Sequence, residues 1–174
     1  MAVAGIPEVI HDFNLYLSGN KLVGVTGEVA IPDFEALTET ISGAGILGEI
    51  ETVVAGRFGS MAQEIPFRVA NADLFKMVDP TTPMELTLRG AIQYNIVANG
   101  AVDYVGMRVV FRGRTKKLAI GTIKQGGPMD SSIGLELTYV LIELDGETKV
   151  ELDKINGVYK VNGVDLLAKV HKLT

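Results

Sequence analysis

Apolar and polar residues alternate along most of this 174-residue chain, which predicts strands joined by tight turns rather than amphipathic helices. The alternation is clearest from Met84 to Val97. Met84, Leu86, Leu88, Gly90, Ile92, Tyr94 and Ile96 take one face, and Glu85, Thr87, Arg89, Ala91, Gln93, Asn95 and Val97 the other. Such a strand lays one face on a core and leaves the other partly polar. Asn99-Gly100 then predicts a turn into a second long strand, Val102 to Ile120, where Met107, Val109 and Phe111 alternate with Arg108, Val110 and Arg112. Beyond a glycine-rich loop at Lys124 to Asp130, Ile133, Leu135, Leu137, Tyr139 and Leu141 predict a third. An Asp145-Gly146 turn leads into Thr148 to Leu152, and Asn156-Gly157 and Asn162-Gly163 bracket a short strand at Val158 to Val161. Near the N-terminus Phe13, Leu15 and Leu17 alternate with Asn14, Tyr16 and Ser18. Gly19-Asn20 then predicts a hairpin with Lys21 to Ile31, whose Val23, Val25 and Val29 share a face.

Helix signals are few. Asn71 can cap a short helix over Ala72 to Asp79, with Leu74, Phe75 and Val78 on one side and Pro80 ending it. Asp165 can cap a second helical segment at the C-terminus, with Leu166, Leu167, Val170 and Leu173 on one side. The expected fold is mainly β: an antiparallel sandwich or barrel with one internal short helix and a C-terminal helical segment, in a single domain over residues 1–174.

Composition narrows the function classes. A net charge of -5 does not support a general nucleic-acid-coating role. The absence of cysteine excludes disulfide scaffolds, thiolate metal sites and cysteine nucleophiles. The N-terminal stretch MAVAGIPEVI has neither a basic region nor a long apolar one, and no segment approaches the ~18 apolar residues of a membrane span. Synthesis and assembly in a reducing cytoplasm are expected. Apolar residues make up 47% of the chain and the mean hydropathy is +0.27, high for a monomer with a soluble surface. Burial of part of that apolar surface between subunits is expected.

Ser42 to Glu51, SGAGILGEIE, carries Gly43, Gly45 and Gly48 at the spacing of a dinucleotide-binding fingerprint. Its flanks are inverted. Phe34 to Ile41 lacks the β-branched run of a buried parallel strand, and Glu49 to Val54 reads as a strand where the fingerprint needs a helix. Ser42 to Gly48 is therefore read as a flexible, close-packing loop, and no cofactor is expected. His11 and His171 stand at opposite ends of the chain, outside any metal-ligand or triad spacing. The acids Asp130, Asp145, Glu151 and Asp153 lie in or beside turns without calcium-loop spacing. Serines and threonines lack a nearby histidine to activate them, so no catalytic or metal site is expected. Arg112, Arg114 and Lys116 in the run RGRTKK fall on one strand face with Arg108. This row reads either as a contact with phosphates or an acidic partner, or as a solvated face or subunit contact paired with some of the acidic residues.

Three further segments carry a family resemblance: FRGRTKKLAIGTIKQGG (Phe111 to Gly127), LTYVLIELDGE (Leu137 to Glu147) and ELDKINGVYKVNGVDLL (Glu151 to Leu167). Together with the Gly43 to Gly45 loop and FNLYLSGN (Phe13 to Asn20), they resemble the major tail tube proteins of contractile-tailed bacteriophages, the family that also supplies the tubes of R-type bacteriocins. The likeness spans nearly the whole chain. It implies a non-enzymatic subunit that forms hexameric rings, stacked into a hollow tube inside a contractile sheath, with inner strands joined into one barrel around the lumen. The implied partners are further copies of the chain, the sheath, baseplate, tail terminator and tape-measure proteins, and DNA in the lumen if the particle is a phage. The implied location is the virion tail or the bacteriocin particle.

Within that frame the glycine-rich segment Gly43, Ala44, Gly45, Ile46, Leu47 and Gly48 is expected to reach between rings. The polar face Glu85, Thr87, Arg89, Gln93 and Asn95 is the candidate lumen lining. Because a cation in the lumen would bind a passing polyanion, Arg108, Arg112, Arg114 and Lys116 are expected away from it, in a subunit or sheath contact. The rival readings are a secretion-type tube ring and a monomeric ligand-binding β-barrel with the glycine loop as a lid.

Overall fold

The computed structural model describes residues 5–174; the first four residues of the MAVAGIPEVI stretch lie outside this range. In chain order the strands are β1 (Gly5–Leu17), β2 (Asn20–Lys21), β3 (Ala36–Ser42), β4 (Glu49–Phe58), β5 (Ala62–Phe67), β6 (Met84–Ile96), β7 (Val102–Ala119), β8 (Ser131–Leu144), β9 (Glu147–Asp153), β10 (Val158–Val161) and β11 (Val164–Asp165). Two short helices, α1 (Ala72–Lys76) and α2 (Ala168–Leu173), complete the fold.

The chain is mainly β, as its alternation predicts. One antiparallel sheet runs in the order β11-β10-β9-β8-β7-β6-β1-β2, with β5 on β8, while β3 and β4 form a separate two-stranded hairpin. Hairpin connections dominate because the turn signals are local. Gly100, Gly146, Gly157 and Gly163 all carry positive φ, beside the left-handed Asp145 and Asn162.

The core gathers the apolar faces of the long strands. Leu86 and Leu88 of β6, Val109 and Phe111 of β7, and Ile133, Leu135, Leu137 and Val140 of β8 are buried. Leu15, Ile65, Phe67 and Leu152 join them. Burying each such side chain contributes about 1.5–3 kcal/mol relative to leaving it exposed. Helix α1 closes one side through Leu74 and the adjoining Met77, both without exposed surface, and Asn71 caps it by accepting from the Leu74 N–H at 3.0 Å.

Three local expectations are revised. The hairpin after Gly19-Asn20 pairs only Asn20 and Lys21 with β1. The chain then leaves the ladder, because Gly24 (φ +90°) and Gly27 break the strand, and Thr26 donates instead to the Pro66 carbonyl at 3.1 Å. Helix α1 stops at Lys76, with Phe75 exposed and Met77 taking the buried place expected of it. Helix α2 starts only at Ala168 without a side-chain cap; Asp165 sits in β11 and accepts from the Leu167 N–H instead. Phe34 to Ile41 holds no buried parallel strand, as read from the sequence: β3 begins at Ala36, is exposed and runs antiparallel to β4.

Close approach of β7 to β8 is fixed at Gly113. A Cβ there would lie 2.2 Å from the Glu136 carbonyl oxygen. The register shifts beside it, between Arg112 and Gly113, and again between Thr115 and Lys117, where extra residues bend the strands.

Candidate assembly interface

The β3–β4 hairpin projects from the body as an arm. None of the residues of β3, β4 or their connection is buried. Its ladder runs from Ala36 opposite Phe58 to Ser42 opposite Glu49, with Ile41 facing Ile50, and β3 alone spans about 23 Å at strand rise. The tip turns through Gly43, Gly45 and Gly48, all with positive φ, and the Ile46 N–H donates to the Gly43 carbonyl at 3.1 Å. Leu47 is fully exposed at the tip, and Leu37, Ile41, Ile50 and Val53 are exposed along the arm. Only the base is anchored. Phe58 packs edge-on between Phe34 (5.9 Å) and Tyr159 (5.1 Å), Gly56 lies against Leu167, and Lys154 donates to the Gly59 carbonyl at 2.7 Å. Burial pushes the Lys154 ammonium below its ordinary pKa.

Strand β1 has a second unfilled surface. Only Tyr16 and Leu17 pair with β2, so from Gly5 to Leu15 its outer edge has no strand partner among the described residues. Ile6, Val9 and Ile10 are exposed there, as are Val97, Val102 and Tyr104 at the same end of β6 and β7. Long open edges and exposed apolar residues are liabilities for a lone molecule and assets for a subunit.

Opposite the core, the sheet carries a ladder of ion pairs. Arg112 Nε lies 2.6 Å from Glu85 Oε2 and its guanidinium 4.4 Å from the centre of the Tyr139 ring. The hydrogen bond that Arg112 donates to Glu85 raises the Arg112 pKa further. Tyr139 donates to Glu151 at 3.2 Å, and Lys160 reaches the same carboxylate at 3.6 Å. Burial, then Glu151, raises the Tyr139 pKa. Arg108 pairs with Glu143 at 2.9 Å, and Arg89 stands over the Tyr16 ring at 5.7 Å. Among the described residues no cluster of His, Cys, Asp or Glu could hold a metal ion, and no helix is long and apolar enough to cross a membrane.

Comparison with known proteins supplies the deciding observation: residues 7–173 match the family model described as phage tail tube protein FII. The chain belongs to the phage tail tube family. It is a structural tube subunit, similar to the tail tube protein of Escherichia phage P2 (29% identical over 163 residues, 93% of this chain and 94% of that one). It also resembles the major tail tube protein of Serratia phage KSP20, at 26% identity over 161 residues, 92% of this chain and 91% of the relative. Its fold matches the sheath/tube terminator of an extracellular contractile injection system with a TM-score of 0.53. That likeness has 12% identity and covers 79% of this chain and 97% of the other.

For a tail tube subunit, the placement of the sequence-derived residues is informative. Gly43, Ala44, Gly45, Ile46, Leu47 and Gly48 form the arm tip. Glu85, Thr87, Arg89, Gln93 and Asn95 share one face of β6, as expected, and Gln93 donates to Glu8 at 2.8 Å. The register then joins two sets that charge reasoning separates. Glu85 faces Arg112 and Arg89 faces Arg108 across β6 and β7, and cross-strand partners point to the same side. The arginine row therefore lies beside the candidate lumen residues rather than apart from them. Arg114 continues the row opposite Glu136, and Lys116, at the bulge, meets Glu136 at 3.1 Å. Burial raises the Glu136 pKa, but the Ser60 hydroxyl, Lys116 and the Met61 N–H outweigh it and hold the carboxyl below its ordinary value. Sequence periodicity identified each face; the inter-strand register that merges them is not readable from a single strand.

Proposed function

We propose that this tail tube subunit is the repeating unit of the inner tube of a contractile injection system, a phage tail or an R-type bacteriocin. In this reading residues 1–174 act as one non-enzymatic tail-tube domain, assembled in the bacterial cytoplasm. Copies close into hexameric rings that stack as a conduit within a sheath, bounded by baseplate and terminator proteins and occupied during assembly by a tape-measure protein. The family match over nearly the whole chain carries the assignment. The open β1 edge supports ring closure, because strands added edge to edge consume exposed backbone groups. The unburied arm supports contact between rings.

The face shared by β6 and β7 is the proposed lumen lining. Free cations there would retain DNA by counterion release. Here Glu85 and Glu143 hold Arg112 and Arg108 in ion pairs, and Arg89 stacks on Tyr16. The wall keeps guanidinium groups while presenting little unpaired positive charge. Arg114 and Lys116, beyond the first register shift, remain the proposed subunit or sheath contacts.

Electron microscopy of the purified protein tests the assignment: hollow tubes or stacked rings are expected. A stable monomer of 18.6 kDa in sedimentation at micromolar concentration would overturn it.

A further inference from the structure

Two grooves of similar size flank the core, and they differ in charge. One, of about 340 Å³, is lined by Ile10, Phe13, Val29, Leu88 and Met107 with Glu28. The other, of about 390 Å³, crosses β7, β8 and β5, with Ile31, Pro32, Ala62 and Leu135 beside Lys116 and Lys117. This second groove also carries the Glu64 carboxylate, which accepts from Ser132 at 2.6 Å; just outside its lining, Glu136 accepts from Ser60 and Lys116. Lys117, and Arg114 beside the groove, have no ion-pair partner among the described residues. Gln63, fully buried, also lines this groove. Its Nε2 donates to the Ala30 carbonyl at 2.8 Å, but its Oε1 has no hydrogen-bond partner. A buried acceptor left unpaired is a cost that an incoming donor removes.

The arm has the complementary chemistry. Residues 36–58 contain Glu39, Glu49 and Glu51 and one basic residue, Arg57 at the base, and none of these carboxylates has an ion-pair partner among the described residues. Its tip is apolar at Ile46 and Leu47, and its strands carry N–H groups with no partner on their outer edges. An apolar centre rimmed by charge of one sign suits a groove with an apolar floor and a rim of the other sign. Glu28 makes the first groove a repulsive site for the same acidic arm.

We infer that the β3–β4 arm of one copy seats in the Lys116/Lys117 groove of a second copy, with Leu47 over Ala62 and Pro32 and with Glu49 and Glu51 meeting Lys117 and Arg114. This rests on the tube-subunit reading and adds to it the identity of the receiving surface. Each groove holds one glutamate, Glu28 or Glu64, but only the second adds lysines, Lys116 and Lys117, and this surplus of positive charge makes it the better seat for an acidic arm.

The chain has no cysteine, so placed cysteines report without background. In a Leu47→Cys/Ala62→Cys chain, oxidation of the assembled protein is expected to give a ladder of covalent multimers on non-reducing gels. In Leu47→Cys/Val29→Cys, which tests the other groove, monomer is expected. A charge exchange provides the second arm of the test. Glu49→Lys/Glu51→Lys and Arg114→Glu/Lys117→Glu should each raise the concentration needed for assembly about tenfold, and an equimolar mixture of the two should recover most of that loss. Hollow tubes that form with a ladder only from the Val29 variant, or with no recovery on mixing, overturn the docking site and leave the tube reading intact. A failure of the unmodified protein to assemble at all overturns both. Circular dichroism on each variant checks that the fold is unchanged, as expected for Leu47, Glu49, Glu51, Ala62, Arg114 and Lys117, which are exposed, and for the small change at the partly buried Val29.

Discussion

The body and the arm of this chain solve the same problem in opposite ways. In the body, β6, β7 and β8 each lay apolar side chains on the core, and Phe67, Leu74, Leu86, Val109, Phe111 and Ile133 bury their side chains without residual exposure. In the arm, Ile41 and Ile50 face each other in a ladder that is regular from Thr38 to Ser42, yet both stay in solvent. A two-stranded ribbon is marginal in water by itself. The body is stabilised by its own burial, and the arm is held only at its base by Phe34, Phe58 and Tyr159. Stability and assembly should therefore respond to different sets of residues.

The sharpest test of that division is Phe111→Ala. Truncating a fully buried ring at the centre of β7 is expected to cost about 3–5 kcal/mol, read as a large fall in the thermal midpoint of the dispersed protein. A near-neutral result would mean that the body is not the independently stable half. Gly113→Ala comes next. The added Cβ meets the Glu136 carbonyl at 2.2 Å, backbone against backbone, so β7 and β8 must part, at a cost of about 1–3 kcal/mol by analogy with overpacked cores. Retained stability with a shifted register, visible by amide exchange, would show the strands to be more compliant than their packing indicates.

Arm substitutions should invert the pattern. Leu47→Ser is expected to change unfolding stability by less than about 0.5 kcal/mol, as for an exposed residue, while reducing tube yield in sedimentation. A large loss of stability would show that the arm folds back onto its own body in solution.

Acid gives the smallest and most distributed effect. The hydroxyl and N–H of Thr81, with Thr82, lower the Asp79 pKa from 3.8 to about 2, and Glu136 is also lowered. For carboxylates depressed in the folded state, the stabilisation is present above the unfolded value and is lost as pH falls through the folded one. Stability of the body should thus decline progressively between about pH 4 and pH 2, and Asp79→Asn should flatten that decline. An unchanged slope in the variant would place the acid sensitivity elsewhere.

How much of this was legible in the sequence follows the same division. Where a strand has one face on a core, alternation identified it almost to the residue: Met84 to Val97 against the observed Met84–Ile96, and Val102 to Ile120 against Val102–Ala119. Where no core exists, as in β3, nothing selects a pattern, and the sequence there shows only the absence of a buried strand's β-branched run. Strand β5 escaped for another reason. Its inward positions include the polar Gln63, and it contains Pro66, a residue that argues against a strand when read from sequence. The glycines of the arm tip signalled a loop correctly, but only its strand flanks excluded a phosphate-binding turn. The arginine row was found by period alone; its neutralisation by Glu85 and Glu143 depends on which strand lies next to which.

One arm per chain has a further consequence. A projection that seats in a socket elsewhere on an identical neighbour makes a contact that is not self-complementary. A polymer grown from such contacts has direction: one terminus displays arms with nothing to grip, and the other displays vacant sockets. Caps, chain-length rulers and starting platforms can then tell the two termini apart by shape alone.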